Sequence, residues 1–181
     1  MALVDDFKSS GGNFGRIGEG TFPARITQII DLGMQENTYE GDTKVQHKIW
    51  MTFELPTETI EIDGEQKPRW LSKEFTMSTS DKALLMRVLN AIFTKDELAK
   101  VESMEECLGK ALLVEVGTTS GGKDKWINSS RMIGGMTVAD LSQKPGYYWL
   151  DNPDHNIFDS LPDFLKEKIN TRIGADDDIP F

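Results

Sequence analysis

The sequence predicts a mainly β fold: a small five-stranded antiparallel barrel with a helical insert between its third and fourth strands. Three observations predict it. Apolar and polar residues alternate in three stretches before residue 78, the period then changes to that of a helix, and two more short apolar stretches follow.

The elements run as follows. Residues 9–20 hold five glycines and two serines, so residues 1–20 read as a flexible arm. Thr21 to Leu32 alternates, with Phe22, Ala24, Ile26, Gln28 and Ile30 facing one way. Gln35 to Lys44 is polar with a turn at Gly41-Asp42, which suggests a hairpin with an extended tip. Val45 to Leu55 alternates again. Ile49, Met51, Phe53 and Leu55 make one face, and Lys48, Trp50, Thr52 and Glu54 the other. Pro56 to Pro68 reads as a second loop with a turn at Asp63-Gly64. Arg69 to Met77 is a third strand. It sorts Leu71, Lys73, Phe75 and Met77 from Trp70, Ser72, Glu74 and Thr76, and either side could be core.

Leu84, Leu85, Val88, Leu89 and Ile92 then share a helical face, with Ser80 as N-cap. Thr94 and Glu97 form a capping-box pattern that starts a second helix. Ala111–Val116 and Trp126–Ile133 are the last two strands, joined by a loop from Gly117 to Lys125. Pro145 to Pro153 is aromatic and irregular, and Leu161, Leu165 and Ile169 mark a short helix over Ser160–Asn170. A barrel of the OB type has this order, with its helix between strands three and four. Another small barrel or an α+β sheet has it too, and periodicity favours the OB type. The expected division is an arm over 1–20, a barrel with its aromatic extension over 21–158, and a helix with an acidic tail over 159–181.

Charge narrows the function. The chain holds 30 acids against 20 bases, a net charge of −10, and residues 1–158 alone still carry −7. A uniformly basic nucleic-acid groove is excluded. Local ones are not, because salt screens charges beyond ~8 Å. Lys67, Arg69 and Lys73 lie within seven acid-free residues, and Lys123, Lys125 and Arg131 cluster around Asp124 alone. Each cluster by itself also fits a solvated surface.

No run approaches the ~18 apolar residues of a membrane span. The N-terminus has no basic start and no apolar stretch of a secretory signal. The single cysteine, Cys107, permits no internal disulfide, so a reducing, cytoplasmic setting is expected. Catalysis is not expected. His47 and His155 lie far apart, Cys107 has no evident base, and Asp151, Asp154 and His155 are too few for a metal site. No cofactor and no metal are expected.

The chain ends Asp176-Asp177-Asp178-Ile179-Pro180-Phe181. Three carboxylates, a backbone restricted by proline, two apolar side chains and a terminal carboxylate suit a shallow apolar pocket with a basic rim. A tail meant only to solvate would not expose Ile179 and Phe181. This ending resembles, letter for letter, the C-terminal tip of bacterial single-stranded DNA-binding proteins. An aromatic segment, a helix and a short TRIGA link stand where those proteins carry a linker rich in Gly, Pro and Gln, and the helical insert is long. Both features are more similar to such proteins of tailed phages.

The resemblance implies binding and protection of single-stranded DNA without sequence preference, in replication, recombination and repair in the cytoplasm of a host bacterium. It also implies that the tip recruits partner enzymes and competes with DNA. On an OB barrel the strand would cross the face of strands two and three, with aromatics stacking on bases and cations on phosphates. The stacking candidates are Trp50, Trp126, Trp70 and Tyr39, and the phosphate candidates are Lys48, Arg25, Arg69, Lys73, Lys123, Lys125 and Arg131. Trp50 packed beneath a loop is the competing reading of that residue. The competing functions are an OB-type adaptor that barely touches nucleic acid, and a recombination mediator or annealing protein.

Overall fold

The computed structural model describes residues 15–175. Most of the expected arm and the whole tip, residues 176–181, lie outside the described residues.

Three strands come first: β1 (Gly20–Tyr39), β2 (Asp42–Ile62) and β3 (Glu65–Thr76). Helices α1 (Leu84–Ile92) and α2 (Lys95–Leu98) and a 3-10 turn (Met104–Cys107) follow. Then come β4 (Ala111–Thr118), β5 (Asp124–Ser130), a short β6 (Gly146–Tyr148), α3 (His155–Ser160) and α4 (Asp163–Asn170). The fold is mainly β. One sheet runs β3-β2-β1-β4-β5, all antiparallel, and β6 lies parallel to β1 beyond the end of β4. Among the described residues no helix is long and apolar enough to cross a membrane.

The first two strands are longer than alternation suggests. Both connections are two-residue turns whose central residues sit at positive φ: Glu40 at 50° and Gly41 at 85°, Asp63 at 52° and Gly64 at 81°. The stretches read as loops, Gln35–Lys44 and Pro56–Pro68, are mostly ladder. They project beyond the core as two-stranded arms, wet on both faces, and so lack an apolar alternation to read. Pro56 has no N–H to donate, and the β2–β3 register slips between Leu55 and Thr59.

β1 carries two register shifts, at Ile26/Gln28 and at Asp31/Gly33. The first resets which residues point inward. Ile26 and Ile29 enter the main core, whereas Ile30 and Leu32 join a second cluster on the opposite face. The main core places Ile49, Met51, Phe53 and Leu55 of β2 against Leu71 and Phe75 of β3, with Leu85, Val88 and Leu89 of α1 closing it. Leu71 and Phe75 therefore mark the inner face of β3.

The helical elements follow local chemistry. Thr94 and Glu97 form the expected capping box, with Glu97 N–H on Thr94 Oγ1 at 3.2 Å and Thr94 N–H on Glu97 Oε1 at 2.9 Å. α1 starts later than Ser80. Ala83 stands at its cap, and Ser80 belongs to the turn before it. The helix expected over 160–170 is α4, which starts at Asp163 after Pro162, and α3 is a separate helix before it that spacing does not predict.

The sheet is not a closed barrel. Strands β3 and β5 are brought together, but no hydrogen-bonded ladder joins them among the described residues. Side chains fill this seam: the Phe75 and Trp126 rings meet edge to face at 5.0 Å.

The outer face of β1 and β2 is covered by the C-terminal segment. Tyr148, Leu161, Leu165 and Ile169 pack on Ile30 and Leu32. Gly33 (φ 69°) admits this cover, since a Cβ there would sit 2.5 Å from Arg172 Cδ and 2.9 Å from Leu150 Cδ1. The buried Asp31 carboxylate fastens it, accepting from His47 Nε2 at 2.6 Å, Gly33 N at 2.9 Å and Leu150 N at 3.2 Å.

Cys107 is fully buried, and burial first, then Glu106, pushes its thiol up to about 12. The folded protein should leave Ellman's reagent unreacted at mild alkaline pH and react once unfolded. The folded pKa is raised, so the thiol's contribution to stability is present below the unfolded value of ~8.5 and is lost as pH climbs towards the folded one. The alkaline fall in Tm should therefore be steeper for the native chain than for Cys107→Ser. Equal slopes, or rapid labelling of the native thiol, would count against this burial.

Candidate nucleic-acid interface

The expected interface, the outer face of β2 and β3, is largely occupied. Trp50 lies there half-buried, with Phe164 of α4 edge-on to its ring at 5.3 Å. Lys168 of α4 reaches Glu74 of β3, Nζ to Oε1 at 2.6 Å. Trp50 is thus a packing residue of the second cluster and not an open platform. It looked out of place on a polar face because its cover comes from residues more than a hundred positions later. Trp126 is a correction of the same kind. It is 5% exposed, its indole N–H donates to Ser129 Oγ at 2.8 Å, and its ring belongs to the core.

Of the four tryptophans only Trp70 is exposed, at 44%. Its indole N–H donates to Glu54 Oε1 at 3.0 Å, and the buried Glu54 also accepts from Ser142 N at 2.9 Å and Ser142 Oγ at 2.6 Å. The ring is therefore held in one orientation while its face stays open. It lines a groove of about 390 Å³ with Ile60, Ile62, Lys67, Pro68 and Arg69.

The start of β5 borders the same groove through Asp124. This acid is neutralised from within. Its carboxylate accepts from Ile17 N at 2.6 Å and Gly18 N at 3.1 Å, and Arg16 Nε lies 3.6 Å away. Lys123 and Lys125, on either side of it in sequence, are exposed. The fold thus brings Asp124, from the second basic stretch, beside Lys67 and Arg69 of the first.

Lys48 and Lys73 are half-buried at the other end of β3. Lys48 Nζ donates to Thr76 Oγ1. Lys73 Nζ sits 5.6 Å from the Phe75 ring centre and 5.7 Å from that of Trp126. Burial lowers the Lys73 pKa, Glu74 acts against this, and Lys48 lowers it further.

The remaining candidates fall elsewhere. Arg25 donates to the carbonyls of Ala139 (2.9 Å), Gly109 (2.8 Å) and Val138 (3.0 Å), and lies 3.6 Å from Asp140. It clips loops to β1, and all three of its guanidinium nitrogens are engaged in doing so. Arg131 donates to Phe93 O at 2.6 Å and ties β5 to the end of α1. Tyr39 is 77% exposed, at the tip of the β1–β2 arm. That tip and the Trp70 groove lie at opposite ends of the 21-residue β2, so Tyr39 is not part of the groove. Among the described residues no three His, Cys, Asp or Glu side chains gather where a metal could bind.

The two roles of basic residues predict different outcomes. Arg25→Ala should lower stability by about 2–3 kcal/mol, the scale of charged hydrogen bonds lost, seen as an earlier denaturation midpoint. It should leave the salt dependence of nucleic-acid binding unchanged. A changed salt slope with unchanged stability would put Arg25 back on the phosphate track.

Comparison with known proteins finds no match to a family model, to a curated protein or to a solved structure.

Proposed function

We propose that this chain binds single-stranded DNA without sequence preference, on an OB-type barrel left open at the β3/β5 seam. The observation that supports it best is the Trp70 groove: one open, oriented indole lining it together with Lys67 and Arg69. Unpaired strands need such a surface. A base offers a π-face that stacks on an aromatic ring for ~1–3 kcal/mol whatever its identity, and its phosphate takes a nearby cation. Duplex DNA hides those faces, so an exposed ring selects unpaired strands.

The strand order and the helical connection between β3 and β4 are those of an OB barrel, and the β3/β5 approach is where that barrel would close. The net charge of −10 does not oppose the reading. Binding is decided within a Debye length of ~8 Å, and the acid nearest the groove is already neutralised. The tip, Asp176 to Phe181, supplies the second half of the proposal: it summons replication, repair and recombination enzymes and weakens DNA binding by competing for cations. One observation favours the adaptor reading, namely the C-terminal segment over Trp50 and Glu74, which narrows the surface left for nucleic acid.

Titration with poly(dT) tests this directly. Trp70 is the exposed tryptophan, so quenching on binding should vanish in Trp70→Phe. Trp70→Ala should weaken affinity by roughly 5- to 150-fold, the worth of one stacked base. No quenching of the native chain at low salt would sink the proposal. Removing residues 176–181 should tighten binding at low salt, and equal or weaker binding would remove tip competition while leaving the groove intact.

A further inference from the structure

Resting on that reading, we infer that the bound strand follows the edge of β3 to a second, phosphate-holding subsite made by Lys48, Lys73 and Lys82. The route differs from a path across the face of β2 and β3, because α4 lies on that face.

Three observations carry it. The first is a groove of about 450 Å³ at the end of β3 lined by those three lysines together with Thr76, Ser78 and Ser80. Three ammonium groups and three hydroxyls all donate, which is what a phosphate oxygen needs. The second is the state of its acid. Glu74 also lines this groove, and its carboxylate is held by Lys168 from the far side at 2.6 Å. The local field is therefore positive although the molecule is not. The third is continuity. Lys67, Arg69 and Lys73 share one side of β3, because successive residues alternate. Arg69 and Lys73 stand about 13 Å apart at ~3.3 Å per residue, with the buried Leu71 between them. Arg69 lines the first groove and Lys73 the second, so cations stand at both ends of the β3 edge that has no ladder partner.

Lys82 is the new element. It is exposed, in the turn before α1, and nothing in its sequence neighbourhood marks it. The subsite supplies backbone contacts only. Its effect is to lengthen the binding site and raise its salt dependence, with no effect on base preference.

The test uses the full chain and oligothymidines of about 4 and about 12 nucleotides, the range of site sizes for such folds. In Lys48→Gln/Lys82→Gln, the slope of log K against log salt for the long oligomer should become shallower by about 1.4, two contacts at ~0.7 each. Affinity for the short oligomer should stay within about twofold. Lys95→Gln/Lys100→Gln, an equal change of charge on and beside α2, should leave both unchanged. Circular dichroism and melting confirm that each variant is folded. A long-oligomer slope equal to that of the native chain overturns the subsite and leaves the Trp70 groove standing. An equal loss for both lengths, or for the control, overturns it as well, since that is a general field effect. If the native chain binds neither oligomer, the nucleic-acid reading falls first and this inference with it.

Discussion

Strand β1 must satisfy two hydrophobic clusters at once, and the rest of the structure depends on how it does so. A regular strand offers every second residue to one face. The shift after Ile26 breaks that parity, so Ile29 turns into the main core and Ile30 and Leu32 turn out. Outward isoleucine and leucine need cover, and α3, α4 and β6 supply it. Asp31 sits between these two demands. Its carboxylate is 3% exposed and would be costly without its partners. Those partners include the Leu150 amide, so satisfying one charge also fixes where the C-terminal segment lies.

That cover has an electrostatic counterpart. The chain is acidic, yet three acids lining or next to the two grooves, Glu54, Glu74 and Asp124, are engaged. Glu54 holds the Trp70 indole and Ser142, Glu74 holds Lys168, and Asp124 takes two amides and Arg16. Each engaged carboxylate orders a segment of backbone and loses much of its field beside the lysines of the seam. The same residues thus explain both why the sheet edge is well defined and why an anion can approach it. Other acids lie on the two projecting arms, where they discourage edge-to-edge pairing of exposed strands.

Alternation was legible wherever one face of a strand was buried. Ile49, Met51, Phe53 and Leu55 point inward as their spacing implies, and the Thr94 capping box and the Asp63-Gly64 turn follow from local chemistry that needs no tertiary partner. The misreadings share a cause. The shift in β1 leaves no local mark, because Thr27 and Gln28 would suit a regular strand equally well. The arms bury neither face, and few of their residues are apolar, so they look like loops. The polar strand face points to Trp50 and the neighbouring lysines to Trp126, but exposure is decided by what arrives from far along the chain: Phe164 in one case, and Phe75 across an open seam in the other. Trp70 was one tryptophan among four until the fold covered the others. Lys82 carried no signal, since a lone lysine before a helix is the commonest kind of surface residue.

An open seam also bears on what the molecule can do mechanically. In a closed barrel the last strand is fixed by a ladder, and moving it breaks several backbone hydrogen bonds. Here β3 and β5 meet through Phe75, Trp126 and the Lys73 ammonium beside both rings. Such contacts are worth ~0.5–1.5 kcal/mol beyond the area they bury, and they tolerate small shifts that a ladder does not. The cations along β3 therefore sit beside a seam held by side chains and not by a ladder. On the proposed reading, a strand that varies in base identity but not in backbone would benefit from this, because phosphates of slightly different spacing could be met by small movements of one edge. The indole that would stack the base is not compliant. It is fixed by a buried carboxylate, so orientation is held at the ring and adaptability is left to the lysines.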